Sequence, residues 1–385
     1  MINKKYKEAI ILHKKYGGKL EVKSKVKLKN RDDLSIAYTP GVAGVCEAIA
    51  QNKSLAREYT IKKNTVAIVS DGTAILGLGD LGPLSAIPVM EGKAAIFKEF
   101  GGVDAFPICL DTKDTEEIIK TVKQIAPVFG GINLEDISAP RCFEIEERLR
   151  KELDIPVMHD DQWGAATVTL SALINALKIA KIKKEKAKVV IVGVGAAGVA
   201  TGRLLLDYGI KDITFCDSKG IIHQERASLT KEKIELIGKS IANVKEGEIK
   251  DAVKGADVFI GLSKPGTLTI DMVKSMNKNP IIFALANPTP EIFPDEAQKA
   301  GALIVATGRS DFPNQINNSL VFPGAFKAML DKKIPQFENK IFIKIAESLA
   351  KLIKNPNKEK IIPSMFDKGV KETVYKAVSS LSIKK

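Results

Sequence analysis

The sequence predicts an α/β protein of two domains, on three observations. Short apolar runs alternate with segments of helical period along most of the chain. The length, 385 residues, exceeds the roughly 150 residues that one domain usually takes. Midway, the apolar run 189–192 passes directly into Gly193-Val194-Gly195-Ala196-Ala197-Gly198, as a strand, a tight turn and a helix do in a doubly wound sheet.

In the first half, strands are expected over residues 65–70, 105–110, 132–134 and 155–158, with helices over 88–100, 115–125 and 140–153. A long helix over 165–179 leads to a lysine-rich connector, and a second alternation starts at Lys188. Its strands are expected over 189–192, 213–216, 258–260, 281–285 and 303–306, and from about residue 337 the tail reads as amphipathic helices. This gives an N-terminal α/β domain over 1–160 and a C-terminal Rossmann-type, doubly wound parallel-sheet domain with terminal helices over 161–385.

Composition narrows the class. With 45% hydrophobic and 27% charged residues the chain can bury large cores beneath a solvated surface, which excludes disordered and fibrous classes. The longest apolar stretch, 189–200, falls short of the roughly 18 residues that span a bilayer, so no membrane partner is expected. Ala9-Ile10-Ile11-Leu12 is too short for the core of a signal peptide. Cys46, Cys109, Cys142 and Cys216 match neither zinc spacing nor a dense disulfide framework. A cytoplasmic protein with buried free thiols is therefore expected. The net charge of +13 suits an anionic partner, but the lysine clusters at 23–29 and 181–188 are separate and lack interleaved aromatics. No nucleic acid is expected; a small anionic substrate fits the same sign.

The glycine-rich turn carries the most specific local signal. Gly193 allows the tight turn, Gly195 lets a pyrophosphate approach the backbone, and Gly198 lets the helix pack closely on its strand. Ala196 and Ala197 lie at the helix start, where unpaired N–H groups and the helix dipole favour phosphate. Asp217 ends the next strand, 19 residues after Gly198, at the spacing where a carboxylate meets the adenosine ribose. Its charge favours NAD, whereas Ser218 and Lys219 offer donors to a 2′-phosphate, so NAD or NADP both stay open.

Two acidic pairs, Glu135-Asp136 and Asp160-Asp161, follow expected strands and so sit at the strand ends where α/β sheets bind ligands. Four converging carboxylates would need a cation, and hard oxygen ligands suit Mg²⁺ or Mn²⁺. From spacing alone a second reading is equal: Asp161 caps a helix starting near Trp163, and Glu135-Asp136 favour the next helix N-terminus. Lys93 falls among Val89, Ile96, Phe97 and Phe100 on the apolar side of its helix, while Lys98 points away. Desolvation there would lower its ammonium toward neutrality, as a general base requires; taken alone, the residue equally suits a snorkelling lysine whose stem packs and whose head reaches water. Tyr38 precedes the turn signal Thr39-Pro40-Gly41.

Taken in order, these motifs resemble the malic enzyme family in its short prokaryotic form. The likeness runs from about Ser35 to Ala325. It covers Ile36-Ala37-Tyr38-Thr39-Pro40-Gly41-Val42, Ser70-Asp71-Gly72, Leu76-Gly77-Leu78-Gly79-Asp80-Leu81-Gly82 and Gly92-Lys93. It continues through Asn133-Leu134-Glu135-Asp136, His159-Asp160-Asp161, Ser263-Lys264-Pro265-Gly266, Ala286-Asn287-Pro288-Thr289, Asn317-Asn318 and Phe322-Pro323-Gly324.

The resemblance implies oxidative decarboxylation of L-malate to pyruvate and CO₂ with NAD or NADP, and decarboxylation of oxaloacetate as well. By the same resemblance Glu135, Asp136 and Asp161 ligate Mg²⁺ or Mn²⁺, and Asp160 lies beside the metal within reach of the lysine. Lys93 is the base on the C2 hydroxyl and Tyr38 the acid at C3. Asn287 and Asn318 bind substrate, Asn287 lying also at the cofactor, and the chain pairs as a homodimer. One departure stands out: long family members carry an arginine after the Asp-Gly step, where this chain has Thr73-Ala74. A lactate-forming lyase using the same residues is the nearest alternative.

Overall fold

The computed structural model describes residues 2–243 and 245–381. Strands β1 (Thr65–Ser70), β2 (Asp104–Cys109), β3 (Gly131–Leu134) and β4 (Val157–His159) form a parallel sheet in the order β2-β1-β3-β4. β1 is buried along its length, which is why it is continuously apolar from Val66 to Val69 rather than alternating. Because β1 is flanked by β2 and β3, the chain winds outward in both directions from it. The carboxyl ends of β1, β3 and β4 share one edge.

The second sheet comprises β5 (Lys188–Val192), β6 (Asp212–Asp217), β7 (Gly220–Ile221), β8 (Val258–Gly261), β9 (Ile281–Ala284) and β10 (Ile304–Thr307). Its order is β10-β9-β8-β5-β6-β7, parallel throughout except for the short β7. Strand order reverses between β8 and β5, the switch point where such sheets bind ligands. The α/β class and the doubly wound second sheet are thus both present. C-terminal helices return to the first sheet: the rings of Phe322 and Phe326 lie 4.6 and 5.5 Å from that of Phe97. One apolar core runs from Val66 to Val378 and joins the two sheets.

Several elements depart from expectation. The helix expected over 88–100 is Pro83–Ile96, continued by the wider turn Phe97–Gly101. Pro83 occupies its first turn, where a missing N–H costs nothing, and Pro88 sits inside at the cost of one bond toward the exposed Leu84. The long helix is Asp160–Ala180, so the second acidic pair lies inside its first turn and the cap position falls to His159. That helix is the one, among the described residues, long and apolar enough to cross a membrane; it is mostly buried here as a core helix. Cys142 and Cys216 are buried, but Cys109 is only partly so and Cys46 is exposed. Cys46 belongs to an N-terminal arm that includes helices Arg31–Ala37 and Val42–Gln51, neither of which buries a residue.

Candidate active site

Adjacent parallel strands β3 and β4 lead directly into Glu135-Asp136 and Asp160-Asp161, so the acidic pairs emerge side by side. One oxygen each from Glu135, Asp136 and Asp161 lie within 4.8 Å of one another. Asp136 turns the chain out of β3 with a φ of 52°, and its N–H donates to Asp161 Oδ2 at 2.8 Å. Glu135 Oε2 accepts from Asn133 Nδ2 at 3.1 Å. Burial and then the Asp161 charge push the Asp136 carboxyl up to about 7. Burial also drives Glu135 well above the ordinary carboxyl range, against the pull of Lys93.

Like charges held this close need a compensating cation. Asp136 Oδ2 is buried without a hydrogen-bond partner, an acceptor left free toward the cluster. Three hard oxygen donors with a spare buried lone pair fit a small divalent cation such as Mg²⁺ or Mn²⁺. The capping alternative loses its basis, because the helix starts at Asp160 and the next helix after Glu135-Asp136 begins only at Arg141.

Lys93 enters from the helix Pro83–Ile96 and is 7% exposed. Its Nζ donates to Asp160 Oδ2 at 2.6 Å, pairs with Glu135, and lies 4.6 Å from the centre of the Phe322 ring. The expected lowering of its pKa is not found. Burial pulls the ammonium down, but Asp160, Glu135 and Asp161 together outweigh it and hold Lys93 above its ordinary value. Helical period shows the burial; the carboxylates come from distant parts of the chain. Asp160 is fully buried, its carboxyl raised by burial against the Lys93 charge, and its Oδ1 has no partner. Space for that carboxylate exists because residue 164 is glycine, since a Cβ there would stand 2.0 Å from Asp160 Oδ1.

The glycine turn sits at the switch point of the second sheet. Gly193 has a φ of 98°, and a Cβ on it would meet the Leu262 carbonyl at 2.3 Å; one on Gly198 would meet the Gly193 carbonyl at 1.9 Å. At Gly195, by contrast, a Cβ would point into open space, the vacancy that a pyrophosphate approaching the start of helix Ala196–Tyr208 requires. Asp217 ends β6 and is bound by Arg226 Nη2 at 2.6 Å and Lys233 Nζ at 2.8 Å. Although burial pushes it up, those bonds hold its carboxyl down to about 2. The side-chain cations that face it are Arg226 and Lys233, while Lys219 reaches it through its main-chain N–H at 2.9 Å.

Asn287 is exposed beyond the end of β9 and faces the loop of the first domain, where a Cβ on Gly77 would fall 1.8 Å from its carbonyl oxygen. Asn318 packs beside Gly164, at 3.0 Å from where a Cβ would be. Tyr38 does not join this assembly within one chain: it is 66% exposed on the N-terminal arm. Sequence reading missed Arg141, whose Nη2 ties Asp71, Thr73 and Ser138 together at 2.7, 3.0 and 3.2 Å. That network holds the turn after β1, where the family arginine is absent, against the loop after β3.

A switch-point glycine turn in one sheet and a lysine–carboxylate nest at the strand ends of the other place the protein among dinucleotide-dependent α/β enzymes of two domains. Residues 17–150 match the model of the malic enzyme N-terminal domain, and residues 163–379 that of the malic enzyme NAD binding domain. The chain belongs to the malic enzyme family. It is 55% identical over 364 residues to an NAD-dependent malic enzyme of Geobacillus stearothermophilus, covering 94% of this chain and 76% of that one. To a bifunctional malic/malolactic enzyme of Bacillus subtilis it is 52% identical, over 98% and 92% of the two chains. The crystal structure of an NAD-dependent malic enzyme of Thermotoga maritima superposes with a TM-score of 0.94 at 46% identity, covering 96% and 98% of the chains.

Proposed function

We infer that the protein oxidises and decarboxylates L-malate to pyruvate and CO₂ with reduction of a nicotinamide dinucleotide, and that it also decarboxylates oxaloacetate. The observation that carries this reading is the buried Lys93–Asp160 pair at 2.6 Å beside three clustered carboxyl groups, in a chain of this family. Residues 1–160 would supply the acid–base groups and most of the cation ligands, and residues 161–385 the dinucleotide cleft.

Glu135, Asp136 and Asp161 would hold Mg²⁺ or Mn²⁺, which supplies Lewis acidity at a substrate oxygen, while the dinucleotide supplies the two-electron acceptor. The protein's own groups do the proton work. Lys93 rests protonated, held so by Asp160 and Glu135, and would act as a base only after passing its proton to Asp160 across 2.6 Å. The neutral amine that results takes the proton of the C2 hydroxyl. Asn287 and Asn318 orient the diacid, and Tyr38 returns a proton to C3.

That last step needs Tyr38 to reach the cleft, which one chain alone does not arrange. The N-terminal arm leaves Ile36 and Tyr38 exposed at 77% and 66%, next to Leu34, Val42 and Val45, an apolar face of the kind that marks an interface. We propose a homodimer in which this arm packs on a second copy and delivers Tyr38 to its cleft. Within the class, NAD is favoured over NADP, because Asp217 stays ionised and already occupies Arg226 and Lys233. Four unpaired cysteines accord with a cytoplasmic setting.

A second reading has one specific support, the malolactic activity in the name of the Bacillus subtilis relative. Product analysis during malate turnover separates the two. Pyruvate appearing with reduced cofactor supports the oxidative reaction; lactate appearing with no reduced cofactor overturns it.

A further inference from the structure

Glu146 is a buried acid outside the cluster described so far. It projects from the helix Arg141–Glu152 and is 4% exposed. Its Oε1 accepts the main-chain N–H of His159 at 2.9 Å, and its Oε2 accepts Gln162 Nε2 and Trp163 Nε1, each at 3.0 Å. All three partners are neutral N–H groups, and they flank Asp160-Asp161 on both sides. His159 is the last residue of β4 and the cap of the helix that follows, with no side-chain cap bond of its own. The acid therefore lies at the positive end of a 21-residue helix, where negative charge is favoured.

We propose that Glu146 is the positioning residue of the cation site: by fixing residues 159, 162 and 163 it sets the directions in which Asp160 and Asp161 leave the backbone. The inference rests on the cation-site reading given above. Its geometry is specific to that task. Asp160 must aim at Lys93 and Asp161 at Asp136, from consecutive residues at a strand-to-helix junction. A junction pinned on one side only would leave the helix start free to rotate about the strand end. Glu146 pins both sides from a single carboxyl group, and Trp163 is held in turn by stacking on Phe342, with centroids 5.0 Å apart and planes at 4°. Groups that orient metal ligands from behind typically cost about 10- to 100-fold in metal affinity or activity when they are replaced.

The test is direct binding of Mn²⁺ to the full chain, followed by electron paramagnetic resonance of the free ion, with NAD affinity and melting temperature measured in parallel. In Glu146→Gln the volume is kept, but the amide NH₂ faces N–H donors in either orientation. The expected result is Mn²⁺ affinity weakened about 10- to 100-fold, a raised Mn²⁺ requirement in turnover, and NAD affinity within about twofold of wild type. Unchanged Mn²⁺ affinity in the folded variant overturns the proposal. Wild-type protein that fails to bind Mn²⁺ overturns the cation-site reading instead, so the two failures are distinct. Should Glu146→Gln not fold, Trp163→Phe keeps the stack and removes one of the three bonds. A several-fold loss of Mn²⁺ affinity is then expected, and no loss again counts against Glu146.

Discussion

Lys93 Nζ stands 2.6 Å from Asp160 Oδ2 although 67 residues of chain separate the two, and both side chains are almost wholly buried. Each solves the other's problem of burial, since an uncompensated ion in this position would be expelled or neutralised. The pair also stores one proton between an amine and an acid, with Glu135 completing the enclosure. That proton is what the proposed chemistry moves.

If Tyr38 acts across a dimer, its loss and the loss of Lys93 are complementary. Tyr38→Phe and Lys93→Ala should each be nearly inactive alone. Mixed and allowed to exchange subunits, they should recover about a quarter of wild-type turnover, because half of the dimers are hybrids with one intact site. A mixture as inactive as its components would show that Tyr38 serves the site of its own chain or none.

The raised Asp136 carboxyl makes a pH prediction. A group that is protonated below about 7 in the cation-free protein must lose that proton to become a ligand. Mn²⁺ affinity should therefore fall as pH drops below 7, by about tenfold per unit for each proton displaced. Asp136→Ala should reduce that dependence, Glu135 still having to lose a proton, and weaken binding at every pH. Calorimetric titration at several pH values gives both; an affinity independent of pH between 5 and 8 would contradict the assignment.

Cofactor choice should follow Asp217. Replacing it with serine removes the carboxylate proposed to meet the ribose and releases Arg226 and Lys233 from their ion pairs. We expect Asp217→Ser to raise KM for NAD about tenfold or more and to lower KM for NADP, from about 1.4 kcal/mol per tenfold step. Steady-state kinetics with both dinucleotides decides, and an unchanged NAD/NADP ratio would remove Asp217 from the role.

Much of this architecture was legible because its signals are local. Val189–Val192 with its glycine turn, the unbroken apolar run of β1 and the amphipathic tail each declare themselves within a dozen residues. Helical period placed Lys93 on a buried face, and the same arithmetic puts Glu146 with Cys142 and Leu149, a signal that went unread. What the sequence concealed is non-local. The direction of the Lys93 shift depends on Asp160 and Glu135, which only strand pairing brings near. The start of the long helix was misplaced because β4 runs into it with no intervening turn, so no breaker marks the junction. Tyr38 lies on an exposed arm whose helix Arg31–Ala37 buries no residue in its own chain.

The central claim, that Lys93 within its carboxylate nest is the base for malate oxidation, is tested most directly by initial rates of wild type and Lys93→Ala. Both would be run with L-malate, Mn²⁺ and NAD, with and without a chelator. Wild type should reduce NAD in step with CO₂ release and stop when the metal is removed, while Lys93→Ala binds NAD normally and turns over about 10²- to 10⁴-fold more slowly. Wild-type turnover by Lys93→Ala, or malate oxidation indifferent to the chelator, would contradict it.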